Sequence, residues 1–546
     1  MQSQEFKNLA RELKSNLSRL MEQRSTWESH WQECADFMQP RKAEITNERA
    51  RGDKRNLQIF DATAIHALEL LASSLQGMLT SSANRWFSLR YKEDQLNDID
   101  EAKEWLEDVT DKMYTAFARS NFQQEIFEAY HDLITFGTAC MMIEGDEDQI
   151  LRFSTRHIKE LYIQENDKGF IDTVYRRFKI PVHAAVEKFG LENLSLETGK
   201  LFKKEPFEKI ELVHVARPRT IYNENKLDKK NMPFQSIYFE FSSGHIIDIG
   251  GFKELPYVIP RYLKASTEIY GRSPAMNALP DVKVLNKMVE TAMKAAAKQV
   301  DPPLLVPDDS MLAPIRMSAG SLNYYRAGSR DRIEPLNIGQ ATSVTLNQEN
   351  QRRDAINKTF HIDQLMISSQ RSMTATEVIQ RNEEKMRLLG PVLGRLQSEL
   401  LKPLIDRVFA ILFRTNMLPN APEFLSGKDI EIEYVSPLAK AQKSTELQSI
   451  MRAVEILGSL ANVAPVFDYV NFDNLVKHLA DIVGVPQKIL KTQSQVNAER
   501  QQQAQQQEQM QQMQQLQQVA KAGGDIAPLA KALPDEARAV ANAEVE

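Results

Sequence analysis

Apolar residues recur every three or four positions through most of this chain, the spacing of a single helix face. Phe6, Leu9, Leu13, Leu17 and Leu20 predict a first helix over residues 1–38, with Trp27 and Trp31 one turn apart near its end. Ile65, Leu68, Leu71, Leu75 and Met78 predict a second, with Asp61 as its N-cap and Ser81-Ser82-Ala83-Asn84 as its stop. Residues 100–143 keep the helical period. The pattern then shortens to alternation in LRFSTRHI, FIDTVYRRFKI, IELVHVARPRT and QSIYFEFSS, which predicts a small antiparallel sheet. Glu144, Asp146, Glu147 and Asp148 surround a glycine between two such runs, so a turn is expected there and no metal site.

Met276, Leu279, Val282, Leu285, Met288, Val289, Ala292, Met293 and Ala296 form the stripe of a longer helix, which Asp301-Pro302-Pro303 ends. Lys283, Lys287, Lys294 and Lys298 fall within an arc of roughly 60° on another face, with Glu290 inside the same arc. That arc is either a solvated surface or a face that meets an anionic partner. A proline-rich module with the run SLNYYRAGSR follows. Residues 343–363 read as a mostly polar helix carrying Arg352, Arg353 and Lys358, which must border water or a partner on more than one side.

Thr374 and Glu377 make a capping box, flanked by Met373 and Val378, for a helix running to about Met417. It would be about 65 Å long if continuous. Gly390-Pro391 predicts a kink within it. A short strand, EIEYVSP, and further helices to residue 492 come next. Thirteen glutamines between residues 501 and 518 close the pattern with a segment that is either disordered or a weak helix.

With 546 residues the chain exceeds one ordinary core. The fold class expected is mainly α with a smaller β part, α+β. A net charge of −6 argues against a strongly basic nucleic-acid binder. Sixteen basic and thirteen acidic residues between Arg272 and Arg387 nevertheless leave +3 there and −9 elsewhere. The six basic residues of Arg41–Arg55 read as a solvated loop. Cys34 and Cys140 give no ligand pattern and no disulfide framework. The N-terminal stretch lacks a hydrophobic signal core, and no run approaches a membrane span, so no membrane partner is expected. No phosphate loop, HExxH, GxSxG, GxGxxG or paired CxxC occurs. No enzymatic activity, cofactor or metal is expected.

Several segments together resemble the head-to-tail connector, or portal, proteins of short-tailed bacteriophages. They are DATAIHALELLASSLQGMLTSSANRWFSL, NFQQEIFEAYHDLITFGTACMMIE, TVYRRFKIPVHAAVEKFG, and IYGRSPAMNALPDVKVLN with DPPLLVP. Each is weak alone; their order over roughly residues 5–440 makes the match specific. Ser82 and Arg85 depart from the prolines usual between LTS and WF. The resemblance implies a ring of twelve subunits in the virion, at one capsid vertex and assembled in the host cytoplasm. Double-stranded DNA would pass through it without sequence readout. The implied partners are the terminase packaging motor, a tail adaptor protein, and the capsid and scaffolding proteins.

It implies regions too: a wing over 1–265, a stem helix over 266–300, a clip over 301–342 and a second stem helix over 343–365. A tunnel loop over 366–373 with Ser368, Ser369, Gln370 and Arg371 would follow, then a long kinked helix and wing strand over 374–440. Crown helices over 441–495 follow, and the glutamine tail over 496–546 lies outside the resemblance. The seven basic side chains of the two stem helices become candidates for the DNA channel. A DNA-packaging nuclease or motor, or a helical scaffold protein associating through its tail, are the alternatives.

Overall fold

The computed structural model describes residues 4–305 except positions 51, 57, 147, 224, 225, 227 and 302, then 334–335, 343–365, 389–425, 429–434, 446–457 except 448, 471–485 except 484, 491, and 493–522. The chain divides into two compact units, residues 1–92 with 106–446, and residues 93–105 with 447–546. Each is described by itself.

In the first unit, helix α1 (Gln4–Met38) is followed by α2 (Thr63–Leu79), strand β1 (Phe87–Tyr91), α3 (Asp100–Arg119, which begins in the second unit) and α4 (Phe122–Phe136). Then come β2 (Met141–Asp146), β3 (Ile150–Thr155), β4 (Leu161–Glu165), β5 (Ile171–Pro181), α5 (Val182–Phe189) and α6 (Leu196–Lys204). Strands β6 (Lys209–Pro218), β7 (Phe234–Glu240), β8 (Ile246–Phe252) and β9 (Tyr257–Val258) complete the β-rich part. Strands β4 to β8 pair in sequence order as one antiparallel sheet. Leu13, Leu17 and Leu20 of α1 cover one of its faces, against Tyr175, Val213, Val215, Ile237 and Phe239. Ala185 and Leu194 pack on Leu212, Tyr238 and Ile247 on the other.

The expected antiparallel sheet is therefore present, with one correction. The run LRFSTRHI supplies β3, which pairs with β2 and β9 in a separate three-stranded sheet. The helical stretch 100–143 also breaks at Asn121, whose side chain bonds both the N–H and the carbonyl of Phe153. Asp146 accepts the backbone N–H groups of Asp148 and Gln149, each at 2.9 Å, as a turn requires. Helix α2 starts one residue later than expected, with Ala62 in the N-cap place, and the Asp61 carboxylate accepts the N–H of Thr63 at 2.9 Å. The loop over 41–55 is not simply solvated. Arg41 and Lys42 pair with Glu128, Lys42 also with Asp132 at 2.6 Å, Arg49 with Asp36, and Arg55 with Glu44. Arg85, the departure noted in the stretch before Trp86, is held by Asp111.

Helix α7 (Pro274–Val300) leads into β10 (Leu304–Leu305), which pairs with β11 (Glu334–Pro335). Helix α8 (Ser343–Thr359) packs on α7 and on α2, and a last short turn α9 (Ile362–Leu365) follows. Most of the clip region, the four tunnel-loop residues and the capping pair Thr374 and Glu377 lie outside the described residues.

Helix α10, residues 389–414, contains a π-helical turn at Gln397–Leu401. Pro403 accounts for it: proline has no N–H for the Glu399 carbonyl, and the Lys402 N–H reaches back to Gln397 instead. Gly390 and Pro391 sit in the first described turns of α10. The segment against which their expected kink would be measured lies outside the described residues. Strand β12 (Ile430–Tyr434) returns to pair with β1.

In the second unit, residues 447–457 are helical where described. Helices α11 (Phe472–Val483) and α12 (Gln493–Ala522) are joined by Arg500, which bonds both oxygens of Asp473 at 2.6 and 2.7 Å. The glutamine segment is thus helical as far as residue 522, with every side chain from 501 to 514 exposed.

His214 on β6 is wholly buried between the Tyr257 hydroxyl at 2.6 Å and the Ser236 hydroxyl at 2.9 Å, and stacks on Tyr238 at 4.1 Å. Burial pulls its pKa from 6.5 down to about 3, and burial likewise brings His131 to about 4. Both folded values lie below the unfolded one. Their contribution to stability is therefore complete above pH 6.5 and is lost as pH falls from 6.5 toward 3 to 4. Lowering the pH from 7 to 5 should cost about 2 kcal/mol for each of them. Urea midpoints of dispersed subunits measure this, and a flat profile over that range rules it out.

Candidate functional site

The lysine-bearing helix α7 is fixed at its start by five consecutive residues. Tyr270 packs between Trp27 at 5.9 Å and Trp31 at 5.1 Å, so the two tryptophans near the end of α1 exist to receive it. Gly271 donates its N–H to the Thr138 hydroxyl at 2.8 Å and lies against Gly137, the left-handed residue (φ +75°) that ends α4. The two backbones touch: a Cβ on Gly271 would stand 2.2 Å from the Gly137 carbonyl oxygen. Arg272 stacks over Trp27 at 4.4 Å and pairs with Glu268. Ser273 caps α7 by accepting the Met276 N–H at 3.0 Å while donating to the Thr135 carbonyl at 2.9 Å, and Pro274 takes the first helical position.

A second anchor lies beneath the first. Arg261 is 1% exposed, bridges to Thr138, and spends its guanidinium on Glu399, Glu165 and the carbonyls of Ile269 and Gly169. Its bonds to Glu399 run at 2.7 and 3.0 Å. Glu399 is in the π-helical turn of α10 and also takes Arg395 at 2.8 Å. One arginine therefore ties the loop before α7 to the end of β4 and to α10. Such a buried charge is tolerated only because its donors are met.

Beyond this base the two faces of α7 diverge. Leu279, Val282 and Leu285 are buried, whereas Met293 and Val300 further along are exposed. Asn286 bonds the Phe60 N–H at 2.7 Å, the Asp61 N–H and the Gln58 carbonyl, which pins the loop before α2 onto α7. The four lysines project outward. Lys283 reaches Glu33 of α1 at 3.2 Å, and Lys287 and Lys294 share Glu290 at 3.0 and 2.5 Å. Those two charges also draw the Glu290 carboxyl below its ordinary pKa, through hydrogen bonds first. Lys298 is exposed in the last turn.

On α8, Arg352 pairs with Asp281 of α7 at 2.7 Å, and Arg353 with Asp61 at 3.0 Å and Glu349 at 3.5 Å. Lys358 is exposed. The candidate cations of α7 and α8 thus lie on two helices packed together, mostly matched by carboxylates. Such a face presents positive groups to a polyanion while limiting the number free to bind phosphate. Asn286, and the pairing of Arg261 with Glu399 and of Arg353 with Asp61, escape sequence reasoning, because these partners lie 138 to 292 residues apart along the chain. Among the described residues no group of three or more His, Cys, Asp or Glu side chains could hold a metal ion.

A family model described as bacteriophage head to tail connecting protein matches residues 10–490. The sequence is 32% identical over 542 residues to the portal protein of Salmonella phage epsilon15, covering 97% of this chain and 98% of that protein. It is 32% identical over 506 residues to the probable portal protein of Bordetella phage BPP-1, covering 90% of each. It is 20% identical over 511 residues to the portal protein of Enterobacteria phage T3, covering 89% of each.

Proposed function

This chain belongs to the bacteriophage head to tail connecting protein family, and from that membership we infer that it works as a portal, a structural connector at one capsid vertex through which DNA enters and leaves the head. The observation that carries this reading is the match itself, which runs unbroken from the first helix to beyond α11. Two portal proteins and a probable one are similar to the chain over 97%, 89% and 90% of its length. Among the described residues no helix is long and apolar enough to cross a membrane.

Within that function we assign twelve copies to a ring whose channel is lined by α7 and α8. Residues 1–265 form the wing, 301–342 the clip, 366–373 the tunnel loop with Gln370 and Arg371 near DNA, and 441–495 the crown. The clip faces the packaging motor and the tail adaptor, and the outer surface meets capsid and scaffolding proteins. Lys283, Lys287, Lys294, Lys298, Arg352 and Lys358 face the DNA; Arg353, half-buried between Asp61 and Glu349, serves helix packing instead. Ring symmetry turns each lysine into a circle of charge. DNA that must slide is guided best by charges already shared with carboxylates, because every free phosphate contact adds counterion-release affinity and slows it.

Substituting Lys283, Lys287, Lys294 and Lys298 together by glutamine tests this. The four side chains are exposed, and their ion pairs are worth about 0–1 kcal/mol each, so rings near twelve times 62.4 kDa should still form. DNA retention in filled heads should fall several-fold. Packaging and retention at wild-type levels would remove the role assigned to these lysines.

A further inference from the structure

Helix α11 carries Phe472, Val476, Leu479 and Val483 at successive spacings of four, three and four residues. On an α-helix these fall within about 60° of one another, the seam a helix offers to another helix in a coiled coil. Val476 is nevertheless 55% exposed and Val483 61% exposed. Helix α12 leaves these two valines in solvent. Helix α12 is tied to α11 through Asp473, about a quarter turn away around the helix.

We propose that this seam packs against a second copy of the chain, so that α11 contributes a subunit contact to the ring; the proposal rests on the ring reading above. Two observations select a second copy over another occupant. The spacing is that of helix-on-helix packing, with β-branched valine alternating with Leu479, so the partner is itself a helix. And α12, held beside α11, has Glu508 as the single charged residue between 501 and 519. Copies of α12 would therefore stand side by side without the repulsion that like-charged helices impose. A helix of 30 residues with every described side chain from 501 to 514 in solvent gains little from its own chain and fits a place among its copies.

The test uses full-length protein and the double substitution Val476→Glu with Val483→Glu. Both sites are exposed in the single chain, so the variant has no core to lose. Hydrogen exchange is followed in purified rings, in dispersed subunits and in complete heads. The expected result is that amides 472–483 exchange roughly tenfold more slowly in wild-type rings than in dispersed subunits. The variant should lose that protection and its rings should dissociate at lower denaturant, with exchange of the first unit unchanged. Wild-type rings in which 472–483 gain no protection, with the variant equally stable, would overturn the contact and leave the ring standing. Protection that arises only in complete heads would overturn it too, by giving the seam to another virion protein. A wild-type protein that forms no ring would bring down both readings together.

Discussion

Gly271→Ala is expected to be among the most damaging single substitutions in this protein, although it adds one methyl group. The added carbon would lie 2.2 Å from the Gly137 carbonyl oxygen and 3.0 Å from the Arg261 Cβ, and the first of these is backbone that cannot swing aside. Gly137 cannot retreat either, because its left-handed conformation ends α4 and its carbonyl accepts the Tyr262 N–H at 2.9 Å. Overpacking of this kind costs about 3 kcal/mol, and the displacement passes directly to Ser273 and so to the direction of α7. Gly137→Ala meets the Gly271 carbonyl at 2.1 Å and adds the strain of φ +75°. The double variant should cost less than the sum of the two, since both relieve or suffer the same contact. Urea midpoints of dispersed subunits and the yield of rings measure the outcome. An alanine at position 271 with wild-type stability would show that the two strands part freely.

Arg261→Met should rank beside it. The substitution keeps the apolar stem but leaves Glu165 and Glu399, which are 17% and 9% exposed, without their shared cation. Breaking one side of a buried ion pair costs about 3–5 kcal/mol. Lys264 and Arg395 remain on the two carboxylates, so the lower end of that range is expected. Adding Glu399→Gln should restore part of the loss, because it removes a stranded charge and keeps the shape. Absence of any rescue, measured by unfolding of the single and double variants, would mean that the arginine acts by packing rather than by charge.

The contrast between these anchors and the rest of the fold shows what a sequence can disclose. Period-3.6 runs carry α1, α2 and α7 because each buries one stripe against a single core, as Leu13, Leu17 and Leu20 do. In β6 and β7 consecutive residues are buried instead, because α1 covers one face of the sheet and Ala185 and Leu194 pack on the other. The order of IYGRSP and its neighbours marks the family, yet the need for Gly271 becomes visible only when Gly137, 134 positions earlier, lies against it. The counter-charges of the loop over 41–55 lie on α1 and α4 as well as in the loop, so local composition read as solvated what the fold holds in ion pairs. The lysine arc was legible as an arc. Its sharing of Glu290 and Glu33 was legible only for Glu290, which is on the same helix.

The π-helical turn at Gln397–Leu401 has a further consequence, for chain length. It holds one residue more than an α-helix of the same rise, and the Gln397 carbonyl, which accepts the Lys402 N–H, also accepts the Tyr434 hydroxyl at 3.2 Å. A deletion of one residue there, sparing Glu399, removes the surplus and leaves the two ends of α10 in step. The same deletion at 405–409 would rotate all that follows by about 100° and turn Ile411 and Leu412 out of the core. Among its described residues this helix therefore has one turn where a residue can be lost while both flanking segments keep their partners.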